Sequence, residues 1–242
     1  MTGMLELPSA SQACLLWHPE CPPRTVDQYR RVAHSLRRLA AERSATVVAV
    51  TSSLPQEGKT LSTVNLAVAL SESYRQRVLI VDADLRVPSV MARFGLATPD
   101  ENLTDWLVRS TDAPFPVVRI SEMLSVVPAA PSEHDPVTLL TLPRFRAMLS
   151  AARNQYDFVF VDTPPVGLLC DAGVLDEYID GFVLVVGAGR TRHTMVTEAI
   201  DSLGKSRLLG LLLNRALDHA PAEVGKYAHY YRASLNVPKS RT

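Results

Sequence analysis

Val48-Ala49-Val50-Thr51-Ser52-Ser53-Leu54-Pro55-Gln56-Glu57-Gly58-Lys59-Thr60 runs from a β-branched apolar segment through a polar loop into Gly-Lys-Thr. A strand that feeds a loop and then a helix beginning near Lys59 is the context of a phosphate-binding loop. Backbone N–H groups of such a loop cradle phosphate oxygens, Lys59 reaches the outer phosphates, and the Thr60 hydroxyl can ligate Mg²⁺. Ser53 stands six residues before Lys59, where the usual pattern has Gly, so the flanking strand and helix carry the reading as much as the pattern does. Ser53, Pro55, Gln56, Glu57, Gly58, Lys59, Thr60 and Leu61 are the expected nucleotide contacts.

Working outward, the chain alternates short β-branched and Leu-rich runs with helical stretches. Residues 46–51, 78–81, 158–161, 182–186 and 208–213 read as buried strands. Helices are expected over 59–74, 137–154, 170–178 and 192–204, with a short helix at 102–110 and a further strand at 123–127 on the sheet edge. This order predicts an α/β fold of three layers, a mostly parallel sheet flanked by helices. Ahead of it, Thr25-Val26-Asp27-Gln28 has the form of a capping box, and Tyr29, Val32, Ala33, Leu36, Leu39 and Ala40 follow at helical spacing, predicting a helix over 26–43. Its other face carries Arg30, Arg31, Arg37 and Arg38, either as a solvated face or as a docking surface for an acidic partner or neighbouring subunit. The expected organisation is an irregular arm over 1–24, rich in Pro, a nucleotide-binding domain over 25–216, and a tail over 217–242.

Composition limits the function. The 242 residues hold 25 Lys+Arg and 25 Asp+Glu, a formal net charge of zero, which argues against a general grip on nucleic acid or an acidic bilayer. With 47% hydrophobic and 21% charged residues the chain has globular composition. No apolar run approaches a membrane span. Glu6 precedes any Lys or Arg, the first being Arg24, and Leu15-Leu16-Trp17 is too short for a signal core, so a cytoplasmic location is expected. Cys14, Cys21 and Cys170 lack Cys-x-x-Cys spacing and read as free thiols, and the six histidines show no ligand spacing.

Two acidic clusters end later strands. In Val81-Asp82-Ala83-Asp84-Leu85-Arg86 two carboxylates follow a buried strand directly, which aims them at the crevice where open α/β sheets bind ligands. Asp82 and Asp84 can hold hydrated Mg²⁺ or accept a proton. In Val161-Asp162-Thr163-Pro164-Pro165 a third carboxylate ends another strand, as a Walker-B aspartate does beside a P-loop.

In this order the motifs resemble the bacterial tyrosine kinases of capsule and exopolysaccharide synthesis, a branch of the deviant-Walker ATPases that also includes MinD and ParA. The match spans about residues 26–216. That family's loop, Thr-Ser-x-x-Pro-Gly-Glu-Gly-Lys-Ser/Thr, is met by residues 51–60 except at Gln56. Its Asp-x-Asp-x-Arg box matches Asp82, Asp84 and Arg86, which makes Arg86 a further expected nucleotide contact, and its Asp-x-Pro-Pro box matches Asp162, Pro164 and Pro165. Asn214 falls where relatives place an adenine-reading Asn, and it also fits a plain strand-end turn residue. The MinD and ParA signature lysine would stand at Leu54. The family's ring-assembly motif on the first helix falls on Asp27, Arg30 and Ala33, without its last charge. If Gln56 takes positive φ, its side chain costs on the order of 1–2 kcal/mol.

The resemblance implies ATP-dependent transfer of the γ-phosphoryl group to tyrosine. Lys59 and the loop amides would neutralise the β- and γ-phosphates, Thr60, Asp82 and Asp162 would hold Mg²⁺, Asp82 would take the phenol proton, and Asp84 would support the metal or the acceptor. Tyr227, Tyr230 and Tyr231, three of the chain's seven tyrosines, lie in its last 16 residues and are the expected acceptors on a neighbouring copy. The implied partner is a membrane-embedded polysaccharide co-polymerase on a separate chain, which would bring this homo-oligomer to the inner face of the membrane; no nucleic acid is expected. Two alternatives stay open: an ATP-binding scaffold of the polysaccharide machinery with little kinase activity, and a MinD-like positioning ATPase.

Overall fold

The structure is a computed structural model that describes residues 15, 16, 18, 20–109, 113–166 and 178–215. Seven strands form one sheet: β1 (Val47–Ser52), β2 (Val78–Asp82), β3 (Val118–Arg119), β4 (Leu124–Val127), β5 (Phe158–Asp162), β6 (Gly181–Gly187) and β7 (Leu208–Asn214), in the order β3-β4-β2-β5-β1-β6-β7. Every described pairing is parallel except β3 with β4.

Seven α-helices accompany the sheet among the described residues: α1 (Pro23–Glu42), α2 (Lys59–Val68), α3 (Val90–Arg93), α4 (Leu103–Val108), α5 (Pro136–Leu140), α6 (Pro143–Gln155) and α7 (His193–Leu203). Strand alternation sorts the core into two halves, because successive side chains point to opposite faces. Val47 and Ala49, Leu79 and Val81, and Val159 and Val161 pack with α4, α5, α6 and α7. Val48 and Val50, Val78 and Ile80, and Phe158 and Phe160 pack with α1, α2 and α3. The expected three-layer α/β fold is what the chain adopts.

Several elements differ from the sequence reading. The capping box does not form. Pro22 is the N-cap and Pro23 the first helical residue of α1, with no side-chain cap bond. Proline suits that position because it has no N–H to satisfy and its φ is preset; the N–H of Thr25 already donates to Pro22 O at 2.8 Å. Within the stretch read as an irregular arm, Leu15 is buried in the α1–α2 layer and Leu16 N–H donates to Asn65 Oδ1 at 3.1 Å.

The single helix expected over 137–154 is two. Pro143 disfavours helical backbone at the residue before it, and Leu142 is extended at ψ 138°. The helix expected over 59–74 changes to a π-helical turn at Ala69–Ser73. The 123–127 strand lies inside the sheet, not at its edge, because the two-residue β3 pairs antiparallel outside it through Val118 with Val126 and Arg119 with Ser125. The helix expected over 170–178 and the whole tail over 217–242 lie outside the described residues, apart from Tyr178.

Candidate active site

β1, β5 and β2 are neighbours at the centre of the sheet, and each ends in one of the motifs. Asp82 and Asp162 face each other in register, and Val50 pairs with Asp162 on the other side. Parallel strands therefore deliver the loop after β1 and all three carboxylates to one crevice at the C-terminal edge of the sheet.

Lys59 opens α2, and its Nζ lies 2.7 Å from Asp84 Oδ2 and 3.9 Å from Asp162 Oδ2. Thr60 Oγ1 donates to Asp162 Oδ2 at 2.6 Å, and Thr63, one turn on, donates to Asp162 Oδ1 at 3.1 Å. Asp82 Oδ2 accepts the N–H groups of Ser89 and Val90, both at 2.9 Å, while its Oδ1 is buried without a hydrogen-bond partner. Asp84 Oδ1 accepts Val87 N–H at 3.2 Å.

Burial pushes the Asp82 carboxyl up to about 8; the Asp162 charge adds to this, and the Val90 and Ser89 N–H groups oppose it. Burial also raises Asp162, against the pull of Lys59 and Thr60. For Lys59, burial lowers the ammonium pKa, but Asp162, Asp84 and Asp82 outweigh it and the net shift is upward.

The loop is bent by two positive φ angles, +64° at Gln56 and +92° at Gly58. Gly58 has a second reason to be Gly: a Cβ there would lie 2.1 Å from Asn214 Nδ2. Asn214 donates that amide to Glu57 O at 2.8 Å, and Arg215 donates to Gln56 O at 3.0 Å. The Glu57 side chain accepts from Leu54 N–H at 2.8 Å, from Gly187 N–H at 3.0 Å and from the Thr191 hydroxyl. Ser53 Oγ is buried without a partner. Pro55 and Gln56 are exposed, and Leu61 packs partly into the α1–α2 layer. Arg86 does not join the cluster; it stands exposed, and its charge adds last to the lowering of the Asp135 carboxyl, which the Thr138 N–H and hydroxyl chiefly cause.

Residues 45–176 match the AAA domain family. The chain is 32% identical over 187 residues to tyrosine-protein kinase CpsD of Streptococcus agalactiae, covering 76% of this chain and 81% of that protein. It belongs to the bacterial tyrosine kinases of capsule and exopolysaccharide synthesis. Tyrosine-protein kinase YwqD of Bacillus subtilis is likewise 32% identical, over 204 residues that cover 83% of this chain and 85% of that one. The VpsO kinase domain superposes with a TM-score of 0.69 at 30% identity, over 78% of this chain and 95% of that one. The enzyme is a protein-tyrosine kinase of the P-loop ATPase class, whose fold binds nucleotide.

The donor set of the tyrosine kinase fits Mg²⁺. Among the described residues no three His, Cys, Asp or Glu side chains are grouped to hold a metal by themselves. Mg²⁺ does not need such a cage, since it takes one or two carboxylates, a hydroxyl, waters and the substrate's phosphate oxygens. Thr60, Asp162 and the unpartnered Oδ1 of Asp82 supply hard oxygens of that kind. The kinase sequence also holds site residues that motif reading passed over. Thr63 is visible in hindsight as the residue three after Thr60 on one helix face, and Ser89, whose Oγ donates to Thr60 Oγ1 at 3.2 Å, carries no local signal at all. Among the described residues no helix is long and apolar enough to cross a membrane.

Proposed function

We propose that the chain binds MgATP at residues 53–60 and transfers the γ-phosphoryl group to Tyr227, Tyr230 and Tyr231 of a second copy. The reading is supported above all by the meeting of Lys59, Asp82, Asp84 and Asp162 at the ends of three adjacent strands. Lys59 is paired with Asp84 and lies near Asp162, and on nucleotide binding its ammonium would turn toward β- and γ-phosphate oxygens. Thr60, Asp82 and Asp162 would hold Mg²⁺, which when bound neutralises phosphate charge and orients the γ-phosphoryl group.

In the transfer, the phenol oxygen forms the new P–O bond, the β–γ bridging bond breaks, and ADP leaves. The phenol proton goes to the Asp82 carboxylate, whose Oδ1 is buried without a hydrogen-bond partner. Asp84 orients Lys59. Asn214 lies against the loop at the end of β7, where its amide would meet the base of the nucleotide. The partner in this proposal is a membrane-embedded polysaccharide co-polymerase on another chain, which brings the assembled kinase to the cytoplasmic face of the membrane.

One observation favours a second reading, an ATP-binding scaffold with weak transfer. Gln56 holds φ +64° in the loop, at the position where the family's loop pattern has Gly. Phosphotyrosine mapping by mass spectrometry, on the protein produced with its membrane partner, separates the two. Phosphate on the tail tyrosines that vanishes in Lys59→Ala is the expected result. MgATP binding with no phosphotyrosine would establish the scaffold.

A further inference from the structure

Glu57 is almost fully buried, yet its carboxylate is committed to the protein around it. Oε2 accepts Leu54 N–H at 2.8 Å within the loop, and Oε1 accepts Gly187 N–H at 3.0 Å together with the Thr191 hydroxyl. Gly187 O in turn accepts the N–H groups of Arg190 and Thr191 at 3.1 and 3.2 Å, so the turn after β6 is closed on itself as well as on the loop. Its neighbour Ala188 donates to Asn214 O at 2.9 Å, and Asn214 returns to Glu57 O. Side chain and backbone of one residue thus tie the phosphate loop to the ends of both β6 and β7.

A buried carboxylate is tolerated only when its lone pairs are met, and three donors meet this one. The neighbouring Gln56, at positive φ, keeps its strained backbone only where the surroundings over-determine it. The bond from Glu57 to Leu54 N–H spans Gln56 and closes the loop over it.

We propose that Glu57 is a positioning residue for phosphate binding, clamping the loop between Leu54 and the turn after β6 so that Thr191, 134 residues away in sequence, sets nucleotide affinity through it. This rests on residues 53–60 being the nucleotide site. The chemistry calls for an acid. An amide at position 57 has a single acceptor oxygen and must turn its NH₂ toward either Leu54 N–H or Gly187 N–H, donor against donor.

The test is calorimetric titration of the full chain with MgATP, alongside KM and kcat for tyrosine phosphorylation. Thr191→Val is expected to weaken MgATP binding and raise KM about fivefold with kcat within about twofold of wild type, while Thr191→Ser, which keeps the hydroxyl, restores both. Glu57→Gln is expected to weaken binding about tenfold or more, and adding Thr191→Val to it is expected to cost less than the sum of the two single losses, because both substitutions act on one contact. Thr191→Val with wild-type affinity would overturn the proposal, and so would additive losses in the double variant. The Thr191 pair carries the test alone if Glu57→Gln does not fold. Failure of wild type to bind MgATP would instead reject the nucleotide site itself, a result seen before any variant is compared.

Discussion

Gln56 is the residue at which this kinase departs most from a relaxed phosphate loop. A non-glycine residue at φ +64° stores on the order of 1–2 kcal/mol, partly offset because glycine would loosen the unfolded chain. Gln56→Gly is therefore expected to stabilise the protein by about 1 kcal/mol, raising the melting temperature by about 2–4 °C, and to tighten MgATP binding. A lower melting temperature in a thermal scan would show that the Gln56 side chain makes a compensating contact. The acids and Lys59 could be read from their motifs because each sits next to a buried strand of plain apolar pattern. Thr191 could not, since nothing in a local window links it to Glu57, and neither could the exposed setting of Arg86, because a motif gives spacing without the direction of a side chain at a turn.

At the scale of elements, helix ends separate local signals from the geometry that uses them. Asn102 caps α4 by accepting Asp105 N–H at 3.2 Å, whereas Thr25, in a sequence with the form of a capping box, lies within the first turn of α1. Asn102→Ala is expected to cost about 1–2 kcal/mol, and Thr25→Ala to stay within about 0.5 kcal/mol of wild type. Urea unfolding of the two variants side by side checks this; a cost at Thr25 equal to that at Asn102 would restore the capping box. The strands were legible because short β-branched runs ending in loops have few other readings. The break between α5 and α6 was also written in the chain, at Pro143, but helical periodicity on both sides masked it. β3 left no signal, as two residues are too few to show a period.

For the molecule as a whole, the site sets a dependence of stability on pH. Asp82 ionises near 3.8 in an unfolded chain and near 8 in the folded one, so between those values the folded state binds the extra proton. Stability then falls as pH rises through that window and levels off above it. Asp162, also raised by burial, acts in the same direction, while Asp157, lowered by its bond to Arg77, affects only the acid limb. With no nucleotide or metal added, the melting temperature is expected to drop between pH 5 and about 8, and Asp82→Asn to flatten that slope. A wild-type curve that rises over the same range would contradict the burial of an uncompensated carboxyl at this position.

The brace between Asn214 and Glu57 also has a consequence for biosynthesis. The two residues are 157 positions apart, so the phosphate loop leaves the ribosome long before the strand that braces it exists. At about 5–20 residues per second, some 8–30 s pass between them. For the larger part of that interval β1 also lacks its in-register neighbours β5 and β6. Nucleotide capture by a nascent chain of this kinase should therefore begin only once β7 has emerged, which makes ATP a reporter of the completed sheet instead of a template for early folding.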